Sequence, residues 1–310
     1  MMITIFKNGE IGLLTQVEPT SGCWINVIDP TPEEISQLEV LGFQHDFLTY
    51  PLDLDEQAHT EREDGEILIV LRIPYYQGGN VDVPYTTLPL GILLTDRLII
   101  TVCKHDNEIL QGFTTGRVRD LSTTKRNRFI LRMLLKSAQV YLAHLKEINK
   151  IVDALEDQLQ LSTRNKEVME LLKYQKCLTY FTTALKSNEL MMERLQRSQL
   201  FRAYPDDEDL LEDVLIENQQ AIEMTNIASN ILSSMMDAFA SIISNNLNTV
   251  MKFLTSVTIV LSLPVLVTSF YGMNVSLPLQ DHPLGFLAIL FLSLAISITA
   301  VYIFWKRDWF

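Results

Sequence analysis

The stretch FLTSVTIVLSLPVLVTSF (residues 253–270), then Tyr271-Gly272-Met273-Asn274, then VSLPLQDHP (275–283) and LGFLAILFLSLAISITAVYIFW (284–305), decides the fold of this chain. No Asp, Glu, Lys or Arg occurs within residues 253–280 or 282–305. A helix needs about 20 mainly apolar residues to cross the hydrocarbon core of a bilayer, so each run is long enough to span. The pair predicts a carboxyl-terminal transmembrane hairpin with the Tyr271 to Asn274 tetrapeptide at its mouth. Two buried helices of a soluble protein are the competing reading, but consecutive charge-free runs with basic flanks are unusual there.

Orientation follows from those flanks. Lys252 precedes the first run, Lys306 and Arg307 follow the second, and residues 275–283 contain neither Lys nor Arg. By the positive-inside rule both ends are expected in the cytoplasm and the loop outside, in the plasma membrane. The first residues lack the basic segment, apolar run and small-residue cleavage site of a secretory leader, so the preceding part is expected to stay where it is made. Cys23, Cys103 and Cys177 are scattered and odd in number, which predicts neither a disulfide framework nor a zinc site. A net charge of −13 argues against nucleic acid as a partner and favours cations. Much of the acid is concentrated: residues 203–251 contain no Lys or Arg, but include Asp206, Asp207, Glu208, Asp209, Glu212, Asp213, Glu217, Glu223 and Asp237. A solvated acidic helix is the plain explanation of that run.

Working toward the amino terminus, residues 1–120 read as a cytoplasmic α+β domain with a mixed sheet. Runs rich in β-branched residues at 24–28, 67–73, 90–94 and 98–102 predict strands. Thr31-Pro32-Glu33-Glu34 predicts a helix start, with a capping Thr, Pro at the first helical position and acids in the first turn. No phosphate-cradling glycine loop or nucleophile elbow occurs, and the His residues are dispersed, so neither an enzyme nor an organic cofactor is expected. Residues 121–205 predict a pair of long antiparallel helices, near 125–161 and 165–201, with a turn around Asn165 and a stop at Ala203-Tyr204-Pro205. From there neither Pro nor Gly interrupts the chain until Pro264. One helix is therefore expected from about Asp207 to Phe270, roughly 95 Å at 1.5 Å per residue. It comprises a cytoplasmic stalk (206–252) and the first span (253–271). A loop (272–283), the second span (284–305) and a basic tail (306–310) complete the chain.

With about 100° between successive residues, Asp237, Ser241, Ser244, Asn248, Thr255, Thr258, Ser262 and Ser269 share one sector of that helix, together with Met251 and Val265. Hydroxylated residues of this kind can serve helix packing in a membrane. The stripe, however, continues past the span as Asn248 and Asp237, where packing within lipid is no longer the requirement. A water-filled path explains the whole line better, and one helix cannot enclose a pore, so a cyclic homo-oligomer with this face inward is expected. Pro264 within the span is an ordinary kink candidate.

Gly272-Met273-Asn274, preceded by Tyr271 and placed after the first of two terminal spans, resembles the CorA family of magnesium channels. The similarity extends to the large amino-terminal domain, the long helices and the basic-aromatic ending Trp305-Lys306-Arg307-Asp308-Trp309-Phe310. The resemblance implies a funnel-shaped homopentamer that admits Mg²⁺, with the first spans lining the pore and the Gly-Met-Asn loops forming the selective outer mouth. Asn274 would supply a ring of amide oxygens, Gly272 close backbone approach and an unusual dihedral, and Met273 a packing contact. Counting back from the motif, the family resemblance makes Asn248 a polar ring, Met251 and Leu254 a hydrophobic constriction, and Asp237 an acidic ring at the inner mouth. It also makes Asp213 an acid that senses cytoplasmic Mg²⁺ at the subunit interface. Glu61, Glu63 and Asp64 are candidates for its partner from the next subunit, although a solvent-exposed loop is the plainer reading of that segment. Ser262 stands where relatives can carry a bulky Met, and the outer loop has a single acid, Asp281. A zinc, cobalt or nickel transporter of the same fold, and a non-conducting membrane-anchored sensor or scaffold, are the alternatives.

Overall fold

The structure, a computed structural model, describes residues 3–8, 14–16, 18–118, 121–161, 165–198, 205–279, 282–307 and 309. The expected turn just before Asn165, the stop at Ala203 and Tyr204, and Gln280, Asp281, Asp308 and Phe310 lie outside the described residues. The chain divides into two compact units, Met1–Met236 and Asp237–Phe310.

The first unit is built on a seven-stranded mixed sheet of order β2-β1-β3-β7-β6-β5-β4. Its strands are β1 (Ile3–Asn8), β2 (Leu14–Gln16), β3 (Trp24–Ile28), β4 (His59–Glu63), β5 (Glu66–Tyr76), β6 (Tyr85–Leu94) and β7 (Ile99–Cys103). Only β3 and β7 pair in parallel; every other neighbour is antiparallel. The four strands expected from sequence are β3, β5, β6 and β7, the near-continuous apolar runs of a sheet covered on both faces. On one face Leu68, Val70, Leu93, Ile100 and Val102 pack with helix α1 (Pro32–Val40) and helix α2 (His45–Thr49) through Ile35, Leu38, Phe47 and Leu48. Helix α1 begins as expected, at Thr31, whose hydroxyl accepts from the Glu34 N–H while Glu34 reaches back to the Thr31 N–H, a capping box.

On the other face Ile69, Leu71, Leu90, Ile92 and Ile99 pack with helix α3 (Glu108–Thr114), helix α4 (Arg126–Leu161), helix α5 (Asn165–Arg197) and the start of helix α6 (Pro205–Tyr271). Buried Trp24 anchors this layer, stacked on Phe6 at 5.1 Å and tilted on Phe129 at 5.2 Å. Its indole N–H donates to Thr101 Oγ1 at 2.9 Å, and that hydroxyl donates to Asn26 Oδ1, so the buried polar groups between β3 and β7 are paired. Arg72 at the middle of β5 fastens the remaining pieces. Its guanidinium donates to the carbonyls of Leu54, Glu56 and Thr87. Its own backbone is bracketed by the Asn188 amide from α5 and the Tyr141 hydroxyl from α4. Burial lowers the Arg72 pKa from its ordinary value. Gly91 on β6, paired with Val70, is required because Pro51, in the 3₁₀ turn Tyr50–Leu52, occupies the space a Cβ would need.

One sequence expectation is overturned here. The segment carrying Glu61, Glu63 and Asp64 is no loop: Glu61 and Glu63 lie on edge strand β4, and Asp64-Gly65 is the two-residue turn into β5. Both turn residues have positive φ, 48° and 85°, as a type I′ hairpin turn demands. Strand β4 is charged because it is an exposed edge, and charge there blocks pairing with another chain.

The second unit contains the rest of α6 and helix α7 (Gly285–Lys306). Both helices are long and apolar enough to cross a membrane, and only 6% of each apolar stretch is buried. A core helix of a soluble protein would be mostly buried, which removes the competing reading of the two runs. Pro264 sits inside α6 without ending it.

Candidate functional site

Within residues 253–271 the less exposed positions of α6 are Ser256, Val257, Val260, Leu263, Pro264, Val267 and Tyr271, and those of α7 are Gly285, Ile289, Ser293, Ser297, Ala300 and Phe304. Each set follows helical spacing along one face, and a hairpin can bury one face of each helix only against the other. The α7 set is mostly small residues, the kind that lets membrane helices approach closely. Ser256 is fully buried and donates to its own helix at Phe253 O, 2.8 Å away.

The polar stripe lies elsewhere. At about 100° per residue it is centred roughly 145° around α6 from the α7-facing positions. Asp237, Ser241, Ser244, Asn248, Thr255, Thr258, Ser262 and Ser269 are all exposed. So are Met251, Leu254 and Val265, at 59%, 58% and 61%. Within one chain, then, the stripe is not the face used for helix packing. Three of its hydroxyls share a chemical feature. Ser241 donates to Asp237 O at 3.0 Å, Thr258 to Leu254 O at 2.8 Å and Ser262 to Ile259 O at 2.9 Å. Each hydrogen is used on the helix itself, a common arrangement for helical Ser and Thr. The oxygen lone pairs are left facing outward as acceptors, the polarity that a cation or its hydration water needs.

At the end of α6, Gly272 N–H donates to Thr268 O at 3.0 Å and Met273 N–H to Phe270 O at 3.3 Å, so the tetrapeptide closes the helix. Gly272, Met273 and Asn274 are exposed. The Tyr271 hydroxyl lies 3.5 Å from Pro278 O and donates to it across the loop. Farther on, Leu279 has φ 68°, and a Cβ on Gly285 would collide with the Leu279 carbonyl oxygen. The unusual dihedral expected of Gly272 is not found. Its φ is not in the left-handed region, and a Cβ there would meet only ordinary contacts, at 3.4 and 3.5 Å from helix carbonyls. The turn strain of this loop sits at Leu279 and Gly285, where the sequence reading assigned none.

In the first unit, Asp213 is exposed on α6, and Glu61, Glu63 and Asp64 are exposed on β4 and its turn. Nearby Glu66 is raised above the usual carboxylate range, chiefly by burial, with the Gln44 N–H opposing and Asp64 adding to the shift. Among the described residues no three His, Cys, Asp or Glu side chains gather to hold a metal ion, so these acids form no cage within a single chain. Asp213 shares the face of α6 that carries Ile216, Ile227 and Ile231, each more than half exposed. That face is about 120° from the one that packs Val214, Ala221 and Leu232 into the core. What sequence reading missed is the packing face of the hairpin; its signal was the four-residue spacing of Gly285, Ile289, Ser293 and Ser297.

Fold and site thus define a protein with an α/β/α amino-terminal unit, a two-helix apolar hairpin, and one oxygen-lined helix face ending at a Gly-Met-Asn turn. Residues 20–307 match the family model for CorA-like Mg²⁺ transporter protein. The chain is 31% identical over 298 residues to the cobalt/magnesium transport protein CorA of Methanocaldococcus jannaschii, covering 92% of this chain and 90% of that one. A magnesium transport protein CorA of Helicobacter pylori is 22% identical over 302 residues, covering 94% and 92%. Among solved structures, the complete CorA magnesium transporter from M. jannaschii superposes with TM-score 0.85 at 26% identity, over 100% of this chain and 99% of that one. The full-length CmaX protein shares the fold, with TM-score 0.73 at 17% identity, over 100% and 98%. The chain belongs to the CorA family.

Proposed function

We propose that this protein is a divalent-cation channel that admits Mg²⁺ across the plasma membrane as a homopentamer. The observation that carries the reading is the exposed, oxygen-lined stripe of α6, turned away from α7 and ending at Gly272-Met273-Asn274. A face that is polar, avoids the helix partner and lies in an apolar span needs water or other copies of itself. Cyclic assembly supplies both. The relatives named as magnesium or cobalt/magnesium transporters support the choice of ion.

In this reading residues 1–120, 121–205 and 206–252 are cytoplasmic, as are both termini and the 306–310 tail. Residues 253–271 line the pore, 272–283 form the outer mouth and 284–305 face lipid. Asn274 contributes an amide oxygen from each subunit. Mg²⁺ demands near-octahedral oxygen coordination at 2.0–2.1 Å and dehydrates reluctantly. A ring of amide oxygens therefore holds the hydrated ion through its waters. Thr255, Thr258, Ser262 and Ser269, with Ser244 and Asn248 below them, continue as acceptors along the path, and Met251 and Leu254 narrow it. The absence of a side chain on Gly272 serves the side that faces the ion and neighbouring subunits, since nothing within its own chain requires it. Flux into proteoliposomes, read separately for Mg²⁺, Co²⁺ and Zn²⁺, tests the proposal. Mg²⁺ entry is expected; Zn²⁺ entry without Mg²⁺ would replace the ion, and no flux of any cation would leave a scaffold.

Asp213 serves as the sensor of internal Mg²⁺, facing an acid of the next subunit, with Glu61, Glu63 and Asp64 as the candidates. The exposed Ile216, Ile227 and Ile231 beside it support an interface at this face. An ion bridging two subunits favours the closed state only through a difference in affinity between closed and open states. Removing one carboxylate from the pair takes away most of that difference. The Asp213→Ala variant should require roughly tenfold more internal Mg²⁺ for half-inhibition of flux. Inhibition at the wild-type concentration would remove Asp213 from the sensor.

A further inference from the structure

In the first unit, between α3 and α4, lies a cavity of about 530 Å³ that the transport reading does not use. In a chain with 38 acidic and 25 basic residues, this cavity gathers Arg117, Arg132 and Lys136, with Gln111, Thr115 and Gln139 adding polar groups. Two of these cations are held by the local fold. Helix α3 ends in a Schellman motif: Gly116, at φ 68°, donates its N–H to Phe113 O, and the Arg117 N–H donates to Gly112 O. The left-handed Gly116 turns the chain back over the end of α3 and sets the backbone of Arg117 there. Gly112 is itself buried, and a Cβ there would lie 3.7 Å from Lys136 Cε, an ordinary contact, so the Lys136 stem lies against α3 at this point. Arg132 and Lys136 are one helical turn apart on α4 and face the same side. The carboxylate among the lining residues, Glu108, has an oxygen 3.4 Å from His144 Nε2, at the far end of that row. Val118, Leu135 and Val140 form an apolar wall to the same cavity.

We infer that this cavity binds a nucleoside polyphosphate, its phosphates on Arg117, Arg132 and Lys136 and its base against Val118, Leu135 and Val140. Guanidinium groups pair with phosphate oxygens in a bidentate fork, and an ammonium adds a point charge, so Arg117 and Lys136, with Arg132 beside them, suit a chain of phosphates. The volume falls in the range of small-molecule sites, roughly 300–1,000 Å³, in which placed polar groups fix a ligand's orientation against an apolar wall.

The test is calorimetric titration of the purified full-length protein in EDTA, so that no divalent cation contributes, with ATP and with inorganic triphosphate as probes. ATP is expected to bind saturably, more tightly than triphosphate, and more weakly as salt is raised. The exposed Arg117 is replaced by Ala, and the half-buried Lys136 by Met, which keeps the stem on Gly112. Arg117→Ala and Lys136→Met should each weaken ATP binding about tenfold while the thermal unfolding midpoint is retained. Absence of saturable ATP binding, or equal affinity in wild type and both variants, would overturn the site. Triphosphate binding as tight as ATP would overturn the assignment of the apolar wall to a base.

Discussion

Mg²⁺ entry into proteoliposomes should fall by at least about tenfold in Asn274→Ala, with the protein still assembling at wild-type size. The magnitude follows from what the amide does. A hydrogen bond to a charged partner contributes about 1.5–3 kcal/mol, and an ion-bound water is polarised toward that limit. In the proposed ring symmetry multiplies the loss, because one substitution removes the oxygen from every subunit. The fold gives no reason for collapse: Asn274 is exposed beyond the end of α6 and no part of the buried core. The helix end is instead closed by backbone bonds from Gly272 and Met273, which the substitution leaves in place. Size-exclusion of the variant separates loss of selectivity from loss of assembly. Uptake at the wild-type rate would sink the assignment of the outer mouth to this residue.

The parts of this structure that were legible in the sequence are those where one physical requirement acts alone. Two charge-free runs admit little besides a membrane, and the strands β3, β5, β6 and β7 are apolar because both faces of the sheet are covered. Where requirements compete, the reading failed. Strand β4, His59-Thr60-Glu61-Arg62-Glu63, looks like a loop because an exposed edge selects for charge, and its turn signal, Asp64-Gly65, had an apolar run on only one side. Strand β1 was missed for a related reason: all its residues are half-buried, so no strong alternation marks it. At the motif, glycine suggested backbone freedom, but the positive φ falls on Leu279, whose identity carries no such signal. The stripe itself was readable because helical periodicity is strict; which of its neighbours faced α7 was not, since small residues serve packing and hydration alike. Only the burial of Ser256 against the exposure of Ser262 separates those two uses.

That separation makes a paired substitution decisive. Ser262→Leu should cut Mg²⁺ flux at least about tenfold while leaving the hairpin and the oligomer intact, because it places four carbons on an exposed, oxygen-lined face turned away from the α7-facing positions. The existing hydroxyl spends its hydrogen on Ile259 O, so its loss leaves no backbone group unsatisfied that a helix does not ordinarily leave. What disappears is an outward acceptor, replaced by a side chain that disfavours water in a narrow path. Ser256→Leu should do the reverse. Ser256 is fully buried, and an isobutyl group there forces α6 and α7 apart, an overpacking cost of about 1–3 kcal/mol per subunit. Its signature is a lower unfolding midpoint or a smaller assembly, with flux per intact oligomer falling less than in Ser262→Leu. If instead Ser262→Leu destabilises the assembly and Ser256→Leu spares it, the stripe is a packing face between helices and the path for the ion lies elsewhere. Both substitutions add the same atoms to the same helix six residues apart, so membrane insertion and hydrophobicity cancel in the comparison, and only the direction each residue faces remains.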